Sequence, residues 1–113
     1  MMYQKIDETQ FYPILGETAG IAVVFFTRQG CGSCRAWKQL LQQFSLQRHD
    51  IHIFELDAEK SMGLVNEYEI FHMPALYLFM NGEFHCELQS SASLDSLSLA
   101  VHDALEHPAH EAP

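Results

Sequence analysis

The chain has 113 residues, 48% of them hydrophobic and 19% charged, with a formal net charge of −9. That length suits one domain with its own core, and the balance is that of a globular chain rather than a disordered one. The negative charge argues against nucleic acid as a partner, and no apolar run approaches the ~20 residues that span a membrane.

The opening segment MMYQKIDETQ lacks the apolar stretch of a secretory signal, so the expected location is cytoplasmic. Tyr3 to Ile6 reads as a strand and Glu8 to Leu15 as a helix, with Pro13 an obstacle inside it. Ile21 to Phe26 is apolar without alternation, the pattern of a strand covered on both faces. Gly30 and Gly32 end it. Trp37, Leu40, Leu41 and Phe44 then recur at i, i+3, i+4, i+7, which predicts an amphipathic helix from near Cys31 to about Arg48.

Ile51, Ile53, Phe54 and Leu56 mark the next strand, ending near Asp57, and Ser61 to Tyr68 a short helix. After Pro74, Ala75 to Met80 is another continuous apolar strand. Asn81-Gly82 predicts a two-residue hairpin turn back into Glu83 to Leu88. In an unbroken ladder this turn sets Cys86 opposite Tyr77 on an edge strand. There it is either an exposed thiol open to dimerisation or glutathione, or a small half-buried apolar residue. Ser93 is placed to cap a last helix with Leu94, Leu97, Val101 and Leu105 on one face.

The order β-α-β-α-β-α-β-β-α describes an α/β fold, a central mixed β-sheet with helices on both faces. One domain over residues 1–106 is expected, followed by a flexible polar tail at 107–113.

Three cysteines are too few for a disulfide-stapled secreted domain. Cys31 and Cys34 stand at a strand-to-helix junction. The first turn of a helix offers unpaired N–H groups and the positive end of its dipole, and both favour a thiolate at Cys31. Cys34 lies one turn deeper and shielded, placed to resolve a mixed disulfide formed on Cys31. A zinc site is the alternative, but it lacks a second ligand pair at matching spacing; no metal is expected.

Charge is unevenly spread around this motif. From Thr18 to His49 there is no acid, while Arg28, Arg35, Lys38 and Arg48 supply four of the six basic residues. Arg28, Arg35 and Lys38 are candidate modulators of the thiolate, or else simply a solvated helix face.

These residues resemble the thioredoxin family. The resemblance rests on the strand Val23 to Phe26, the motif Cys31-Gly32-Ser33-Cys34, the strand ending Leu56-Asp57, Met73-Pro74 before the strand Ala75 to Met80, and the Asn81-Gly82-Glu83 hairpin. It spans roughly Tyr3 to Leu105. It implies a cis Met73-Pro74 peptide facing the cysteines, and a substrate shelf formed by Gly30, Gly32, Ser33, Met73 and Pro74. The chain also departs from the family pattern. Ser33 stands where proline is usual, and Gly30 and Thr27 where tryptophans are usual. The family's buried aspartate aligns with Phe25 and its lysine neighbour with Ile53. Glu55 is one candidate to deprotonate Cys34 instead, water another. The plainer expectation for Glu55 is a half-exposed, solvated side chain. His72, two residues before Pro74, is either a rim residue of the site or an ordinary loop histidine.

The resulting expectation is a monomeric thiol–disulfide oxidoreductase without cofactor. Its substrate is a protein disulfide, and a separate reductase or thiol donor recycles it. Slow exchange is expected for want of the aspartate. The alternatives are a protein-binding module or redox sensor on the same fold, and a metal carrier.

Overall fold

The computed structural model describes residues 3–113. Its strands are β1 (Tyr3–Lys5), β2 (Ile21–Thr27), β3 (Ile51–Asp57), β4 (Ala75–Met80) and β5 (Glu83–Leu88). Its helices are α1 (Phe11–Glu17), α2 (Gly32–Gln47), α3 (Met62–Glu67) and α4 (Leu94–Leu105). The strands form one sheet in the order β1-β3-β2-β4-β5. β1, β3 and β2 run parallel, while β4 is antiparallel to β2 and β5 to β4.

The missing alternation in β2 has a direct cause. Ala22, Val24 and Phe26 enter a core with Phe11, Leu15, Leu64 and Tyr68. Val23 and Phe25 enter a second core with Trp37, Leu41, Phe44, Leu97 and Val101. The sheet is therefore covered by α1 and α3 on one face and by α2 and α4 on the other. Both faces of the central strand must be apolar.

The N-terminal helix differs from the expected Glu8–Leu15. Asp7 caps a 3₁₀ turn over Glu8–Gln10 through a reciprocal pair with Gln10, and α1 follows. Pro13 falls in the first turn of α1, where its missing N–H has no intrahelical partner to lose. Ser93 caps α4 as expected, its hydroxyl accepting from the Ser96 N–H at 3.1 Å.

The hairpin corrects the expected register. Asn81 (φ 52°) and Gly82 (φ 82°) both adopt the left-handed conformation, as the tightest hairpin turn requires. Beyond it the ladder slips by one residue, so Cys86 faces Leu78 and Glu87 faces Tyr77. A bulge around His85 reverses the side to which later residues point. Phe84 packs against one core, and Cys86 and Leu88 join the other. Without the slip all three would share one face. Cys86 is accordingly 6% exposed and unpaired, the small apolar residue rather than the reactive edge thiol.

A Cβ at Gly82 would lie 2.5 Å from the Leu15 carbonyl oxygen, in a conformation that side chains rarely adopt. Gly82→Ala is expected to destabilise the fold by at least ~1 kcal/mol. The check is a lower urea midpoint with an unchanged m-value.

Residues 107–113 follow α4 with exposed side chains. The His110 N–H donates to the His85 carbonyl at 2.7 Å, so this segment runs beside the outer edge of β5.

Candidate active site

β2 delivers the chain to the cysteines. Its last residues emerge from the sheet, Arg28 and Gln29 are exposed, and Gly30 turns the backbone at φ 76°. The left-handed turn is one that glycine adopts without steric cost. Cys31 is then the N-cap of α2, its Sγ accepting the Cys34 N–H at 3.1 Å. A helix N-terminus meets the sulfur through both an N–H and the dipole, which is the environment that favours thiolate. Cys31 is half-buried and Cys34 is 2% exposed. The two are joined as a disulfide, with Cα atoms 5.2 Å apart.

A cavity of about 430 Å³ lies against this pair. Of the residues singled out in the sequence, it gathers Gly30, Cys31, Cys34, Arg28, Arg35, Lys38 and Glu55. Gly32 and Ser33 are exposed in the first turn of α2, outside the cavity lining. Met73-Pro74 is a cis peptide. Ala75 pairs with Phe26, so Pro74 leaves the same end of the sheet as the Arg28–Gly30 loop. His72 is exposed and lines a separate cavity with Phe71, Tyr68 and His110.

Glu55 is the main correction. Far from half exposed, it is 3% exposed. It lies on β3 directly opposite Phe25 of β2 and Lys5 of β1. Ile53 lies two residues earlier on the same strand, opposite Val23 and Tyr3, and shares the apolar core with Phe25. The Tyr3 hydroxyl donates to Glu55 Oε1 at 2.5 Å, and Lys38 Nζ lies 3.5 Å from the same oxygen. Burial first, and then the bond to Glu55, hold the Tyr3 phenol far above its ordinary pKa, so it remains a donor. No side-chain polar atom among the described residues is both sealed from solvent and unpartnered. Glu55 also lines the cavity beside the cysteines. A buried carboxylate held by a phenol and an ammonium thus borders the space beside Cys34.

Tyr3, Lys5 and Asp57 belong to this surroundings without having been singled out. Their signal is the pairing of β1 with β3, and a three-residue strand carries too little pattern to give its register away.

Burial pushes the Cys86 thiol upward, with Glu87 adding to the effect. In the oxidised protein Cys86 is the free thiol. Its alkylation is expected to be at least about tenfold slower in the folded protein than in denaturant, as read by mass spectrometry over time. Among the described residues, no group of three or more His, Cys, Asp or Glu side chains is gathered to hold a metal. No helix there is long and apolar enough to cross a membrane.

Comparison with known proteins agrees with this geometry. The family model described as Thioredoxin matches residues 2–103. The chain is 33% identical to thioredoxin domain-containing protein 2 of Mus musculus over 78 residues, 68% of this chain but only 15% of that protein. It is 29% identical to thioredoxin-1 of Schizosaccharomyces pombe over 83 residues, 74% of this chain and 80% of that one. Among solved structures, the oxidised form of mitochondrial thioredoxin 3 from Saccharomyces cerevisiae superposes with a TM-score of 0.76 at 20% identity, over 89% of this chain and 94% of the other. At that identity the likeness speaks for the fold. The family model, together with a Cys31–Cys34 pair at the head of α2, establishes that the chain belongs to the thioredoxin family.

Proposed function

We propose that the protein is a thiol–disulfide oxidoreductase acting on protein disulfides through the Cys31/Cys34 couple. The observation that carries this reading is the asymmetry of the pair. One sulfur is half-exposed at a helix N-terminus and the other is buried one turn below it. In the reduced protein the Cys31 thiolate attacks a substrate disulfide. A mixed disulfide forms, and the first substrate sulfur leaves and takes a proton. Cys34, as thiolate, attacks Cys31 Sγ and expels the second substrate sulfur. Two electrons pass from the dithiol to the substrate, and the Cys31–Cys34 disulfide remains. A separate reductase or thiol donor restores the dithiol.

Cys34 must lose its proton before the second attack. Position 25 supplies no acid, since Phe25 is fully buried hydrocarbon. Of the two carboxylates that line the same cavity, Glu55 and Asp57, Glu55 is the buried one, and cavity water is the route between it and Cys34. We assign Glu55 as proton acceptor, held by Tyr3 and Lys38, with exchange slower than in relatives that keep the aspartate. Gly30, Gly32, Ser33, Met73 and Pro74 form the shelf for the substrate chain. The working unit is residues 1–106 acting as a monomer in the cytoplasm, with 107–113 as an exposed C-terminal segment beside β5, and it needs no cofactor.

Reduction of insulin by dithiothreitol tests the proposal. The protein is expected to accelerate it clearly above the uncatalysed rate. The absence of any acceleration would favour the second reading, a partner-binding module or redox sensor. The observation behind that reading is the apolar Phe25 in place of the aspartate.

A further inference from the structure

The charge around the cysteines is opposite to that of the molecule. The chain has six basic and fifteen acidic residues. Lys5, Arg28, Arg35 and Lys38 all line the cysteine cavity, against Glu55 and Asp57 as its acids. Thirteen of the fifteen acids therefore lie elsewhere, with Arg48 and Lys60 as their only basic counterweights in the sequence, and Arg48 is bound to Asp50 at 3.0 Å.

The two guanidiniums of the rim are available. Arg28 and Arg35 are exposed, and neither forms an ion pair with any described residue. Of the cavity's cations, Lys38 is the one engaged with Glu55. Arg28 leads out of β2 and Arg35 closes the first turn of α2, so the pair brackets the Cys31–Cys34 motif along the chain.

Building on the oxidoreductase reading, we propose that this rim selects substrate disulfides flanked by acidic residues, with Arg28 and Arg35 receiving carboxylates near the attacked sulfur. A guanidinium presents its N–H groups in a fork that matches a carboxylate, which makes such pairs directional as well as attractive. A small positive island on a body of net charge −9 also orients an acidic segment. Away from the island the partner is repelled, so productive encounter is confined to the cysteines. A long polyanion is disfavoured by the same field, because the island neutralises few phosphates while the rest of the surface repels the remainder.

The test uses three peptides of equal length with one internal disulfide, flanked by Glu, Gln or Lys, and glutathione disulfide beside them. Values of kcat/KM are read at ~20 mM and ~0.5 M salt, where exposed charges are strongly screened. At low salt the Glu peptide is expected to exceed the Gln peptide by about tenfold, roughly one good charged contact, and the Lys peptide to fall below both. At high salt the three are expected to converge. The ratio of Glu to Gln peptide within Arg28→Gln/Arg35→Gln is expected to drop to near one. Because it is a ratio, any general loss of thiolate activation cancels.

Equal rates for all three peptides at low salt, or a ratio unchanged in the double variant, would overturn the proposal. A preference for glutathione disulfide over the Glu peptide would overturn its assignment to a polypeptide. If no peptide is turned over, the oxidoreductase reading fails by itself. The selection is then read by calorimetry, with cysteine-to-serine versions of the peptides on the oxidised protein, where equal affinities count against it.

Discussion

Replacing Cys31 by serine is expected to lower the rate of disulfide reduction by at least about a thousandfold. A serine hydroxyl at this N-cap keeps the hydrogen bond to the Cys34 N–H, so the helix start should survive. What disappears is the thiolate, the only species here that attacks a disulfide at useful rates. Cys34 cannot take over, since it is 2% exposed beneath the first turn of α2. Cys34→Ser is expected to behave differently. Its first attack remains possible, and the mixed disulfide on Cys31 then persists because nothing resolves it. Mass spectrometry of that variant after one exposure to substrate should show the adduct in near-stoichiometric amount. Equal rates for the wild type and Cys31→Ser would remove the catalytic reading.

The largest loss of stability is expected at Phe25. Phe25→Ala should cost about 3–5 kcal/mol, a large part of the roughly 5–15 kcal/mol that holds a domain of this kind. The ring is fully buried among Val23, Trp37, Leu41, Phe44 and Ile53, and the rigid sheet beneath it cannot close the void. Phe25→Asp, which returns the acid of the family pattern, should be worse still. It places a carboxylate in apolar surroundings directly across from Glu55. A urea titration separates this from a surface effect, with Phe71→Ala as control. Phe71 is 90% exposed, and its removal should change stability by less than about 0.5 kcal/mol. Comparable losses at both positions would contradict the packing described here.

Much of the fold was legible because its signals are local. The unalternating runs at Ile21–Phe26 and Ala75–Met80, the 3.6-residue spacing after Cys34, the Asn81-Gly82 turn and the Ser93 cap each report on their own neighbourhood. The parts that were not legible depend on how distant segments meet. The sequence alone sets Cys86 opposite Tyr77, because the bulge after Phe84 has no glycine or other marker. The bulge exists to bury Phe84 and Cys86 on opposite faces. Glu55 looked like the polar face of a strand. Its burial arises from a three-residue strand, β1, that adds Tyr3 and Lys5 beside it, and from Lys38 of α2 reaching over. The cysteine motif could be read at once, whereas the carboxylate that accompanies it required the register of three strands.

The central claim is that Cys31 and Cys34 work as a redox couple. The most direct test is a redox titration of the pair against glutathione and thioredoxin buffers, with the dithiol and disulfide forms counted by alkylation. One reversible two-electron transition is predicted, with a midpoint between roughly −270 and −180 mV. Near the lower value the protein is a reductant, and near the upper one an isomerase, oxidant or sensor. A pair that stays in one form across the whole range, or that passes between forms without reversibility, would contradict the account and leave the fold as a binding scaffold.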